Sequence, residues 1–418
     1  MLLTLSLAVC ALLVPATWAQ DAHPPAPADQ PANADAPAAA THIPIAALPG
    51  RALSTANTPA LADDHGTRAG ARFAGAAIDA EARVALVFTE GKSLLVSSGS
   101  VSAGLREPVR IEAAHKPASG SFWGPQIARC GSAVTVVAVL AEKLGRDGDV
   151  VAWHSADGGR SFGEPARLNT LEGAAQELLV QLAAGDDGRL AAAWMHTENG
   201  VVSLHGAESR DAGATWSVDR LLHASAHESV CPCCPPVLAF GAGDALWMLF
   251  RDDLDGYRDS HLLDLRDPEA SPVRLGRERW ELGGCPMSVG ALHVRDDGPH
   301  AVYRRGDTLF LAQPTTQPAA ARLPTFSEQE LVDGRWPLRA LRADAPNTVF
   351  PPALFWRVGQ KLHARLPGDW IDRDLGPARR VALADTRAPR GPLLLAAELD
   401  DGTGGWQLSL RLLRDRVR

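Results

Sequence analysis

At 418 residues the chain is long enough for a large core, and its 46% apolar and 22% charged residues are an ordinary globular balance. The formal charge of -8 excludes nucleic acid as a partner, since phosphate binding needs a basic surface. Thirty-eight glycines and thirty-one prolines, with two tyrosines against eleven tryptophans, favour many short elements joined by turns.

Met1 to Ala19 is an apolar run ending in Ala16-Thr17-Trp18-Ala19, with small residues where a signal peptidase reads. It is too short for a membrane span. We therefore expect a cleaved signal peptide over residues 1–19, export to the periplasm or beyond, and a mature chain without a membrane span. Cleavage removes Cys10 and leaves five cysteines in an oxidising compartment. Five is odd, so at least one sulfur is unpaired, intermolecular or metal-bound. Residues 20–41 are nearly all Ala, Pro, Asp and Asn and cannot bury enough apolar surface to offset their ordering entropy. They read as a disordered tether before a folded region of residues 42–418.

Beyond the tether no long 3.6-residue period appears. Short apolar runs recur instead, at Arg83 to Phe88, Ala133 to Leu140, Leu190 to Trp194, Ala245 to Phe250, Ala353 to Trp356 and Leu393 to Ala397. Turn residues bound most of them, which is the pattern of strands. Whole units repeat too. Arg110, Arg167, Arg220 and Arg274 stand in matching short segments 57, 53 and 54 residues apart. A period near fifty in an all-β sequence predicts a β-propeller, one four-stranded sheet per repeat. Innermost strands are expected to start near Arg72, Gln126, Leu178, Pro236, Ser288, Pro351 and Pro392. We assign six blades, with the chain termini completing one sheet; seven starts also admit seven.

Two repeats carry a sharper mark. Ser155-Ala-Asp157-Gly-Gly159-Arg-Ser161-Phe162 and Ser209-Arg-Asp211-Ala-Gly213-Ala-Thr215-Trp216 share Ser-x-Asp-x-Gly-x-Ser/Thr-aromatic, 54 residues apart. Asp caps backbone N–H groups, Gly takes positive φ, and the aromatic ring packs between sheets. The motif resembles the Asp box, or BNR repeat, of the sialidase superfamily. The resemblance covers the chain from about Arg72 onward and implies a sialidase-like propeller. It also implies that these boxes are structural, on the turn between the outer two strands.

In a propeller, the loops leading into each innermost strand share one face with the loops between second and third strands. Three cysteines, Cys231, Cys233 and Cys234, fall in the loop before the fourth innermost strand, and Cys285 falls in the loop before the fifth. Thiolates this close are disulfide partners or soft metal ligands. Met195, His196, His227 and Met287 are expected on the same rim, and sulfur with imidazole suits copper or zinc. A disulfide from Cys231 or Cys234 to Cys285 is the structural alternative. The sequence also resembles exported bacterial Asp-box propellers with a Cys-Pro-Cys-Cys loop (Cys231 to Cys234) and a Gly-Cys-Pro loop (Gly284 to Pro286).

Sialidases hold a substrate carboxylate with three arginines and use a tyrosine nucleophile paired with a glutamate, so the resemblance also implies a hydrolase reading. Its candidates are Arg251, Tyr303 and Arg304. The Arg-Ile-Pro stretch of that family is absent, and Tyr303 falls earlier than the nucleophile's usual place. The leading expectation is a monomeric, non-hydrolytic propeller that binds a metal ion or a protein partner at the cysteine rim. An exo-sialidase taking a small sugar and an interaction scaffold with only structural disulfides are the alternatives.

Overall fold

The computed structural model describes residues 41–42, 51–52, 71–100, 102–120, 123–185, 187–226, 229–315, 325–338, 354–365, 372–385, 393–400 and 406–413. Every regular element among them is a β-strand. The second strand of each repeat is apolar on both faces because it lies sandwiched between neighbouring sheets. Ala133–Ala141 and Leu190–Glu198 show this, with eight of nine residues buried in each.

The strands form six sheets. The first holds Arg72–Ile78, Arg83–Glu90 and Ser93–Ser100, with Gly104–Leu105 and Val109–Glu112 sharing its outer edge. Gln126–Cys130, Ala133–Ala141, Asp149–Ser155 and Ala166–Arg167 make the second, with Lys116–Pro117 also pairing with Ala133–Ala141. The third runs from Val180–Ala184 to Arg220–His223, the fourth from Val237–Phe240 to Val273–Arg274, and the fifth from Ala291–Arg295 to Phe326–Asp333. The first strands of these sheets lie side by side and line a central cavity of about 250 Å³. The chain is a six-bladed β-propeller.

The sixth sheet is double, with eight strands. Arg335–Leu338, Leu354–Val358, Lys361–Arg365 and the first half of Arg373–Asp385 make one half, with Thr41–His42 pairing parallel to that last strand. The second half of that thirteen-residue strand opens another, continued by Leu393–Asp400, Trp406–Leu413 and Arg51–Ala52. The segment before the repeats thus completes the last sheet, as termini that close a ring must. The last two expected starts need correction. Pro351 and Pro392 lie outside the described residues, and the strands after them, Leu354–Val358 and Leu393–Asp400, are interior strands of the double sheet. Their apolar runs stand out in sequence because both of their faces are covered.

The ring is clasped where its end meets its start. Phe73 N–H donates to the buried Glu398 carboxylate at 3.1 Å. Arg380, 5% exposed, donates to the carbonyls of Ala74, Gly120 and Trp123. Burial pulls the Arg380 guanidinium down to about 10.

Both Asp boxes sit on the turn between third and fourth strands. In each, Ser155 or Ser209 donates its hydroxyl to the aspartate at 2.8 Å and accepts the N–H of Gly159 or Gly213 at 2.8 Å. Asp157 also takes the Ser161 hydroxyl at 2.6 Å, and Asp211 takes that of Thr215 at 2.6 Å. Each turn docks on the preceding blade: Ser98 Oγ donates to Gly158 O at 2.7 Å, and Thr135 Oγ1 to Ala212 O at 2.6 Å.

Candidate functional site

The Cys231–Cys234 loop ends against Arg251, the last residue of the second strand of blade four. Cys231 N–H donates to Arg251 O at 3.2 Å, and Val230 bridges to Asp252. The loop then turns through Pro232 and Cys233, where proline fixes φ and stiffens the chain. Three sulfurs converge as a result. The Sγ separations are 3.6 Å for Cys231 to Cys233, 3.8 Å for Cys231 to Cys234, and 3.9 Å for Cys233 to Cys234.

Cys233 is disulfide-bonded to Cys285, with the Cα atoms 6.3 Å apart, so the bond ties the blade-four loop to the blade-five loop. The expected partner was Cys231 or Cys234. Both are instead buried thiols, 0% and 2% exposed, while Cys285 is exposed and Cys233 half-buried. The Cys-x-Cys-Cys turn directs the middle cysteine outward and the flanking two inward. Cys130, half-buried on another strand, also lies outside this disulfide.

The two buried thiols are electrically unlike. Cys231 donates its S–H to Cys234; that bond, with burial, pushes the Cys231 thiol far up. Burial works against the Cys234 thiolate, but the Cys231 S–H, the Arg251 guanidinium and the Ser288 N–H outweigh it, bringing Cys234 to about 7. The Ser288 N–H lies 3.3 Å from Cys234 Sγ. Ser288 Oγ is itself buried without a hydrogen-bond partner.

Arg251 and Arg304 belong to this site. Arg251 donates to Arg304 O at 2.9 Å and to Arg258 O, and Arg304 donates to Pro286 O at 3.1 Å, within the Gly-Cys-Pro loop. Both guanidinium groups lie over Trp280, at 4.9 and 5.3 Å from its ring centre. Tyr303 is elsewhere. Adjacent strand residues point to opposite faces, and Tyr303 points away from Arg304 into the blade-four and blade-five core. Its hydroxyl donates to Glu328 at 2.6 Å beside Arg305, and burial with this bond pushes it far up. The three hydrolase candidates are therefore not brought together.

The same alternation separates Met195 from His196. Met195 packs with Leu179, Val230 and Phe250 in an apolar cluster. His196 faces the other way, stacked on His205 at 3.9 Å, and His205 lies 3.4 Å from Asp219. These three can converge on an ion by themselves, but they are distinct from the cysteine group. Met287 is 39% exposed with φ at 44°. His227 lies outside the described residues. Sequence reasoning missed Trp280 and Ser288; Trp280 precedes Cys285 by five residues in a stretch without regular structure, so only the proximity to cysteine pointed to it.

No family model matches the chain, and no curated protein matches it. Solved structures of similar shape exist. An α-L-arabinofuranosidase from Fusarium graminearum has 10% identity and a TM-score of 0.44, over 86% of this chain and 96% of that one. The polysaccharide lyase Uly1 has 8% identity and a TM-score of 0.49, over 82% and 90%. A leech intramolecular trans-sialidase has 9% identity and a TM-score of 0.46, over 87% and 70%. What they share with this chain is a fold. The chemistry must come from its own residues.

Proposed function

We propose that this propeller is exported and binds a soft metal ion, copper or zinc, through the sulfurs of its blade-four loop, without hydrolysing a sugar. The observation that carries the reading is the sulfur triangle, with edges of 3.6, 3.8 and 3.9 Å. A tetrahedral thiolate site with metal–sulfur bonds of about 2.3 Å has sulfur–sulfur edges of about 3.8 Å. Cys231, Cys233 and Cys234 would hold three corners once the disulfide is reduced, and Cys285 supplies a fourth sulfur. The set contains no imidazole, and all-sulfur ligation suits zinc and Cu(I) alike.

The surroundings support it. Arg251 and Arg304 offset the negative charge that several thiolates would bring, and the Ser288 N–H already reaches Cys234. By contrast the arginines of the hydrolase reading are engaged with carbonyls, and Tyr303 is buried against Glu328.

The test is metal content of protein purified from the periplasm and reduced before loading, beside a Cys231→Ser/Cys234→Ser variant. Stoichiometric copper or zinc that the variant loses is the expected result. Equal metal in both, or none in either, overturns the reading. Cleavage of a sialoside that Tyr303→Phe abolishes would put the hydrolase in its place.

A further inference from the structure

The cluster holds a dithiol beside a disulfide, and the two differ in access. Cys231 and Cys234 are sealed in, whereas Cys285 stands in solvent and Cys233 lies between. Cys233 Sγ is 3.9 Å from Cys234 Sγ and 3.6 Å from Cys231 Sγ, so the shared sulfur is within reach of both buried ones. Buried structural thiols are ordinarily inert because nothing that reacts with them can reach them. Here the reactive partner is built in.

The geometry points to an intramolecular disulfide relay, in which the exposed Cys233–Cys285 bond carries oxidising equivalents to the buried Cys231/Cys234 pair. The steps balance without an outside reagent. Cys234 sulfur attacks Cys233 Sγ; the Cys234–Cys233 bond forms, the Cys233–Cys285 bond breaks, and Cys285 leaves as a thiolate. Cys231 then attacks Cys234 Sγ, forming the Cys231–Cys234 bond and releasing Cys233. The protons of the buried pair end on Cys233 and Cys285. Two electrons have moved outward, so the buried pair is oxidised and the surface pair reduced. The surface dithiol can then reduce an external disulfide by ordinary exchange. The substrate class is thus a disulfide, of low molecular weight or on a protein, that can approach Cys285.

The surroundings suit the transfer. The Ser288 N–H reaches Cys234 at 3.3 Å, and Arg304 anchors the Cys285 loop through Pro286 O at 3.1 Å, so both sides of the exchange are held. The relay needs no metal and does not rest on the metal reading. A bound metal would hold the same sulfurs in their reduced form, which makes the two chemistries alternatives in time.

The experiment follows pairing directly. Full-length protein is fully reduced, stripped with chelator and exposed to one molar equivalent of oxidised glutathione, then quenched with acid, alkylated and mapped by mass spectrometry. The expected result is that the Cys233–Cys285 bond appears first and a Cys231–Cys234 bond follows, with Cys233 and Cys285 returned to alkylatable thiols. In Cys233→Ser the buried pair loses its connection to the surface, and its oxidation should slow by about tenfold or more. Because both proteins start reduced, loss of the disulfide does not confuse the comparison. A Cys233–Cys285 bond that persists at every glutathione ratio, with Cys231 and Cys234 always recovered as thiols, overturns the relay. So does a Cys231–Cys234 bond that forms equally fast without Cys233. Metal content measured on protein separately reduced and loaded is an independent readout, so the failure of either proposal leaves the other standing.

Discussion

The junctions on either side of blade two and the junction between blades four and five solve one problem with different chemistry. Neighbouring blades must be held in register. At the first two, a hydroxyl on one blade meets a carbonyl in the next blade's Asp-box turn: Ser98 to Gly158 and Thr135 to Ala212. The device is neutral, small and repeated. Between blades four and five a disulfide, two guanidinium groups on one tryptophan and a thiol pair gather at the loops leading into the innermost strands. Nothing about holding two blades in register requires these groups, since the two junctions of blade two do so through Ser98 and Thr135. The repeated junction is explained by the fold, and the unrepeated one is where we look for function.

Breaking the unrepeated junction should have the larger effect on stability. The Cys233–Cys285 bond encloses a segment with a sequence separation of 52. In the chain-entropy account a loop of that size is worth about 4 kcal/mol. Cys233→Ser/Cys285→Ser should therefore lower the urea midpoint, and reductant should do the same to the parent. A midpoint unmoved by either treatment would mean that the bond serves chemistry alone. Next in size is Arg251→Met, which leaves the Arg304 and Arg258 carbonyls without their donor. Stranding buried acceptors costs about 2–3 kcal/mol. Lysine should not restore it, because one ammonium cannot reach two carbonyls and lie flat on Trp280. A thermal melt of Arg251→Lys matching the parent would refute that geometry.

The repeated junction can be tested through its glycines. A Cβ on Gly213 would stand 2.3 Å from Thr135 Oγ1, at φ of 92°. Gly243 also has positive φ, 58°, but its Cβ would meet nothing within 4 Å. Gly243→Ala should cost about 1 kcal/mol from backbone strain alone. Gly213→Ala should cost about 2–3 kcal/mol, the excess being the clash at the blade junction. If both lose the same amount in chemical unfolding, the Asp box does not set the spacing between blades.

This contrast also marks what the sequence could reveal. Asp-box positions were readable because every bond in the motif spans at most four residues, from Ser155 through Ser161 and from Ser209 through Thr215. Sulfur convergence was readable from the equivalence of two loops in adjacent repeats. Which sulfur pairs with Cys285 was not, because it depends on the direction of each side chain in an irregular turn. Met195 and His196 were grouped with the cysteines, although a period of two forbids neighbours on one strand from facing one site. The last two expected starts were misplaced because a strand covered on both faces advertises itself more strongly than one that lines a channel.

The smallest expected effect is also the one that separates the two kinds of junction by pH. Thr215's hydroxyl and N–H hold the Asp211 carboxyl down at about 2, and Ser161's hydroxyl and N–H hold Asp157 below the usual carboxylate range. A carboxyl depressed in the folded state stabilises fully above its unfolded value, near 4, and that contribution disappears as pH falls through the folded value. Melting temperature should therefore decline between about pH 4 and pH 2, and Asp211→Asn should flatten part of that decline while lowering stability modestly at neutral pH. Both carboxyls are solvated, so the change is small. The blade-four junction is held to its neighbour by a disulfide and by donors to backbone carbonyls, which do not titrate in this range. Parallel hydrogen-exchange profiles at pH 2.5 and pH 6 should then show protection lost around Ser98 and Thr135 before it is lost around Arg251. Simultaneous loss at both places would mean that the two junctions open as one cooperative unit, and the division between a structural and a functional junction would have no thermodynamic counterpart.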